Sequence, residues 1–91
     1  MLNITEVYKT PKEHTRGLQF HKPLLANNAV AFQFSSPKSS SFWNKNVSFP
    51  IDVAFFDESK YLINIEQLSA GQVLDVNSSR PYKYVIETRK G

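Results

Sequence analysis

Trp43, Lys45, Asn46 and Asp52 stand close together in the chain and combine four kinds of recognition chemistry. An indole is a flat amphipathic surface with one N–H donor, an ammonium is a cation, a carboxamide both donates and accepts, and a carboxylate accepts. Such a set can hold a polar small molecule or a peptide, and loops that present mixed aromatic and polar side chains commonly bind. The same residues also have structural uses. Asn46 can bond the backbone of its own turn, Asp52 can hold that turn or pair with Arg16, and Trp43 can plug one end of a barrel. Both readings stay open on the residues alone.

Other chemistry is poorly served. The chain has no cysteine, which removes thiolate nucleophiles, thiolate metal sites and disulfides together. Its serines include none in a Gly-x-Ser-x-Gly turn. Only His14 and His21 could act as imidazole bases or ligands, and no acidic residue accompanies them at the spacing of zinc or facial-triad sites. Gly17, Gly71 and Gly91 are too scattered to cradle a phosphate. No cofactor or metal is expected, and a non-enzymatic role leads. The enzymatic alternative would use Asp52 with a histidine.

Aromatic and basic residues interleave at Phe42-Trp43-Asn44-Lys45-Asn46 and at Tyr82-Lys83-Tyr84, the mixture of single-strand stacking platforms. Charge argues the other way. Eleven Lys and Arg against eight Asp and Glu leave +3, scattered without a run of three, whereas nucleic-acid binders concentrate such charge on one face. The better account of these aromatics is that they are core residues or cover the sheet, and the expectation is against nucleic acid.

The elements that must position these residues are short. From Leu2 to Tyr8, Leu2, Ile4 and Tyr8 share one parity, the period-two signature of a half-buried strand. Thr10-Pro11-Lys12-Glu13 supplies an N-cap, a proline at the first helical position and a capping-box glutamate, and Gly17 can end the helix. Phe20 to Leu25, with Pro23, reads as a turn or a brief second helix. Ala29 to Phe34 alternates with Val30, Phe32 and Phe34 inward. Ser35 to Ser41 is polar and breaker-rich, so an exposed, mobile loop is expected there. Pro50 suggests an edge strand or a strand start before Ile51, Val53 and Phe55, and the polar cluster Asp57 to Lys60 turns that run into Tyr61 to Ile65 as a hairpin. Val73 to Val76 reads as a short strand, and Tyr82 to Thr88 as the last. Six strands and one or two short helices predict a mostly β domain, an antiparallel sheet rolled into a partly open barrel.

Taken together, these residues resemble the small bacterial, archaeal and phage domains known as domain of unknown function 192. The family's opening pattern of Thr, an acidic residue, Arg, Gly-Leu-Met and Arg corresponds to the run from Thr10 to His21. Its Phe-Trp-Met-Lys-Asn-Thr motif, followed by Pro-Leu-Asp and an apolar strand, corresponds to Phe42 through Asp57, and its closing Tyr-Val-Leu-Glu strand to Tyr84-Val85-Ile86-Glu87 before Gly91. The resemblance spans roughly residues 4 to 91 and implies a compact β-barrel-like fold with short flanking helices and no established activity. Two of its arginines are replaced by His14 and His21, two methionines by Gln19 and Asn44, and a threonine by Val47. An anion site built on those arginines would be weakened or made pH-dependent. The polar surface role suits these histidines better. Longer relatives continue into another helix and strand, so an open sheet edge available for self-association is expected here.

At 91 residues, with 41% hydrophobic and 13% aromatic content, the chain can build one core without staples, so residues 1–91 form a single domain. No basic start precedes an apolar run, and no stretch approaches the roughly 20 apolar residues of a membrane span. A cytoplasmic location, in a cell or phage-infected host, is expected. The leading functional expectation is a binding or accessory module that takes a small polar ligand or a protein partner through Arg16, Trp43, Lys45, Asn46 and Asp52.

Overall fold

The computed structural model describes residues 2–90, so Gly91, with which the family resemblance ends, lies outside it. The elements run β1 (Asn3–Tyr8), α1 (Pro11–Arg16), β2 (Asn28–Lys38), β3 (Ile51–Phe56), β4 (Leu62–Leu68) and β5 (Tyr82–Arg89). They form one five-stranded sheet in the order β1-β2-β5-β3-β4. No helix among the described residues is long and apolar enough to cross a membrane.

The sheet is mostly β as expected, but it is mixed and open rather than an antiparallel partial barrel. β1 pairs β2 in parallel, and β1 and β4 are left as edges. Parallel neighbours need a crossover connection of a dozen or more residues, which the segment carrying α1 supplies. Among the described residues only one short helix forms, and the Phe20 to Leu25 stretch is coil after a turn. Five strands stand where six were expected, because Val73 to Val76 contributes only an isolated bridge from Val76 to Phe42. Ser35 to Lys38 extends β2 instead of looping out, with an irregular register that brings Lys38 opposite Tyr82. Pro50 precedes the interior strand β3, so it marks a strand start and not an edge. There, its missing N–H costs no ladder bond.

α1 is capped as its residues dictate. The Thr10 hydroxyl accepts from the Glu13 N–H at 3.1 Å, and the Glu13 carboxylate accepts from the Thr10 N–H at 3.0 Å. Gly17 ends the helix at φ 51°, a left-handed conformation that glycine enters without a Cβ clash. The β3–β4 hairpin turns on Asp57, whose Oδ1 accepts from the N–H groups of Ser59 and Tyr61, both at 2.9 Å.

One face of the sheet carries the core. Val30, Phe32 and Phe34 from β2, Ile51, Val53 and Phe55 from β3, and Val85 from β5 are all buried there. Coil segments close over them: Phe42 and Val76 exchange backbone hydrogen bonds at 3.0 and 2.9 Å, and Asn44 N–H donates to the Gln72 carbonyl at 2.8 Å. We call this covered side the inner face. The other, outer face has no such layer.

β1 is tied to the first connection by His21, whose Nε2 meets Glu6 Oε1. The hydrogen bond to His21 is the main reason the Glu6 carboxyl lies below its ordinary 4.5. For His21, burial opposes the charged form, but its bonds to Glu6 and to the Lys22 carbonyl outweigh it and hold the ring above 6.5. The lowered Glu6 value gives stability that is present above pH 4.5 and lost as pH falls; the raised His21 value gives stability that is present below pH 6.5 and lost as pH rises. The pair should therefore help most between those values. It is partly exposed, so it should contribute under about 1 kcal/mol. The melting temperature of the parent chain, minus that of Glu6→Gln, is expected to shrink as pH is raised from mildly acid to mildly alkaline; a constant difference would show that the pair does not form.

Candidate functional site

A cleft of about 400 Å³ opens on the inner face between the end of α1, the segment around residues 40 to 47, and the sheet. Its walls are aromatic. Phe32 meets Phe42 edge to face at 5.4 Å between ring centroids, Phe42 meets Tyr82 at 5.8 Å, and Phe34 meets Tyr82 at 5.4 Å. Edge-to-face contact at these separations is the arrangement that aromatic pairs prefer. The imidazole of His14 stacks on Phe34 at 4.0 Å and its Nε2 lies 2.8 Å from the Tyr8 carbonyl. The Tyr82 hydroxyl donates to the Ser40 carbonyl at 2.9 Å, and burial pushes its pKa up to about 12, so it stays a neutral phenol.

Among the described residues, two side chains that line this space keep an acceptor without a donor, the Glu87 carboxyl and Asn44 Oδ1. Glu87 is only 3% exposed, and its cross-strand neighbours are Val30 and Val53, both fully buried. The same lateral row places Glu6 and Glu66 on the edge strands, where their carboxylates find Tyr8 and Asn64, respectively. Glu87, in the middle, has no such outlet. Nothing among the described residues donates to it or offers a counter-charge, so burial alone raises its pKa from 4.5 to about 8. Asn44 is completely buried; its Nδ2 donates to the carbonyls of Phe49 at 3.0 Å and Ser69 at 2.9 Å, while its Oδ1 is left without a donor.

Of the residues singled out in the sequence, Arg16 and Trp43 line this cleft. Both are exposed and form its rim; Trp43 is 46% accessible, and the Arg16 guanidinium lies 5.3 Å over the Tyr8 ring. Lys45 and Asn46 flank the rim without lining it. The Lys45 ammonium sits 5.4 Å from the Trp43 ring, and Asn46 Nδ2 donates at 3.0 Å to Gln19 Oε1, itself a lining residue. Asn46 and Phe20 adopt left-handed backbone, each at φ 60°, and the Phe20 N–H donates to the Asn46 carbonyl. Asp52 does not join the group: it lies on the outer face between Thr88 and Gln67, with the sheet between it and Arg16. Nor does it share a cavity with His14, which lines the cleft.

Glu87 and Asn44 carry the chemistry that the sequence left out. For Glu87 a signal existed, since it closes the Tyr84-Val85-Ile86-Glu87 strand; for Asn44 there was none beyond its place beside Trp43.

An open mixed sheet with a coil layer on one face and an aromatic cleft beneath that layer defines a small single-sheet domain. The chain belongs to the DUF192 family, described as "Uncharacterized ACR", whose model matches residues 3–91. It is similar to a protein of unknown function from Novosphingobium aromaticivorans DSM 12444, solved as a crystal structure, with a TM-score of 0.89 and 22% identity; 97% of this chain and 64% of that one are covered. It is also similar to a crystal structure from Sinorhizobium meliloti 1021 of a "putative transcription regulator", with a TM-score of 0.88, 22% identity, and coverage of 97% and 70%. The chain thus spans about two thirds of the length of these proteins, and the likeness shows the fold. No curated protein matches the sequence.

Proposed function

We propose that this domain is a binding module that takes a small organic ligand into the cleft between Trp43 and Glu87. The ligand has an apolar, preferably flat body that lies against the aromatic wall and a head that donates hydrogen bonds to the Glu87 carboxyl. The observation that carries this reading is the buried Glu87, because an acid with no partner inside an apolar cavity lowers stability unless something else uses it. A concavity of about 400 Å³ suits a small molecule better than a protein surface. Arg16 at the rim would meet an anionic or carbonyl group at the ligand's outer end.

The test is a ligand-observed NMR screen with arylalkyl alcohols, amides and amines, followed by affinity measurement on variants. A donor-bearing probe should bind, Trp43→Ala should weaken it about fivefold to tenfold through lost stacking, and Glu87→Ala should abolish the preference for donor-bearing over methylated analogues. Circular dichroism should show the fold intact in Trp43→Ala. If no probe binds, or if binding is indifferent to both substitutions, the cleft is not a ligand site.

A further inference from the structure

The outer face of the sheet is apolar across its whole width. Val7, Ala31, Ile86, Ala54 and Ile65 are successive cross-strand partners, one from each strand, so a single row without a polar residue crosses all five. Beside it runs a second row of Gln33, Tyr84, Phe56 and Leu62. Val7 is 44% exposed and Ile65 55%. A sheet with one face in water ordinarily alternates apolar inside with polar outside, and a contiguous apolar patch on the other face marks a contact surface. The small Ala54 beside Phe56, Ile65 and Ile86 leaves a concavity of about 320 Å³ that a partner's side chains can enter.

Charge at the two ends of this face points to what covers it. At one end stands Asp52, which forms no ion pair among the described residues and whose Oδ1 is buried without a donor. At the other end, the ammonium groups of Lys60 and Lys83 lie 5.6 and 5.8 Å from the Tyr84 ring. A two-fold axis that lies in the interface and crosses the strands reverses strand direction. It sets the Asp52 end of one copy over the Lys60 end of the other, twice, while the apolar row lies on its own counterpart. We infer that the outer face is a homodimer interface, formed by a second copy of this chain packed sheet on sheet. This moves self-association from the sheet edge to its face, and it is independent of the ligand cleft on the opposite side. An isologous contact of this kind needs a patch complementary to itself, which an apolar centre with opposite charges at its two ends provides.

Sedimentation equilibrium of the parent chain and four variants tests the arrangement. The parent is expected to dimerise, and Ile65→Glu, which alters a half-exposed side chain and so spares the fold, is expected to leave a monomer. Asp52→Lys and Lys60→Asp should each weaken the dimer by about tenfold, since each places like charges in opposition. The double variant should restore most of that loss. A parent chain that is monomeric at about 1 mM overturns the inference, since specific dimers of this size hold well below that. So does a dimer indifferent to Ile65→Glu, a double variant no better than the single ones, or a monomer whose outer-face amides respond instead to lipid vesicles.

Discussion

Glu87→Gln should make the protein more stable by on the order of 4 kcal/mol at about pH 9 and change it little at about pH 4. The sign follows from linkage. The folded state holds the Glu87 proton up to about pH 8, whereas the unfolded chain releases it near 4.5. Between those values the unfolded state binds fewer protons, so stability falls as pH rises and levels off once the folded form also ionises. Glutamine keeps the shape of the protonated acid and never ionises, which removes the loss. Urea denaturation of both proteins at acid, neutral and alkaline pH measures the difference directly. A constant difference across that range would mean that the carboxyl is solvated in the folded protein. The gain in stability should come with a loss of ligand selectivity, the trade expected where a strained group is kept for function.

The second large effect is expected at Asn44. Asn44→Ala removes both donors that serve the Phe49 and Ser69 carbonyls and leaves those acceptors facing a buried space, at a cost of about 2–4 kcal/mol. The two carbonyls lie in the connections that enter β3 and leave β4, so the loss should loosen the lower side of the cleft as well as the fold. In a domain of this size the melting temperature should fall by roughly 10–20 °C. A fall of only a few degrees would show that water replaces the amide. Asn44 Oδ1 makes no bond that the substitution could break, so the penalty comes from the amine side of the carboxamide alone.

Where apolar residues fell on one parity without interruption, the strands were legible. The inward sets Val30, Phe32, Phe34 and Ile51, Val53, Phe55 are buried as the alternation requires. The first strand misled because its register shifts between Ile4 and Glu6. That irregularity sends Leu2 and Ile4 outward while Tyr8 turns into the core, although all three share a parity. In β5, Tyr82, Tyr84 and Ile86 share one parity and Val85 and Glu87 the other. The register shift between Gln33 and Lys38 lets Tyr82 enter the core although Tyr84 and Ile86 lie on the outer face, while Glu87 stays on the inner parity with Val85. Both irregularities escape the pattern for one reason: this sheet is apolar on both faces, and alternation cannot then say which side is in.

The candidate site was half legible for related reasons. Gly17 and the capping box place Arg16 at the end of α1, and the Phe42 to Val47 segment is held over the sheet by its bonds to residues 71, 72 and 76, which brings Trp43 to the same rim. Asp52 stands one residue from Ile51 and Val53, and the alternation that buries those two sends Asp52 to the opposite face. The parallel pairing of β1 with β2 left no trace in local pattern, because it depends on where the crossover returns and not on any residue within the strands.

The protonation state of Glu87 tests the account most directly. In ¹³C NMR, its side-chain carboxyl resonance, followed across pH in the chain without ligand, is expected to titrate with a midpoint of about 8, and to titrate lower once a cationic donor-bearing probe occupies the cleft. A midpoint near the ordinary 4.5 in the free protein would mean that water already reaches the carboxyl, and would contradict the proposal that the cleft holds an acid waiting for a partner.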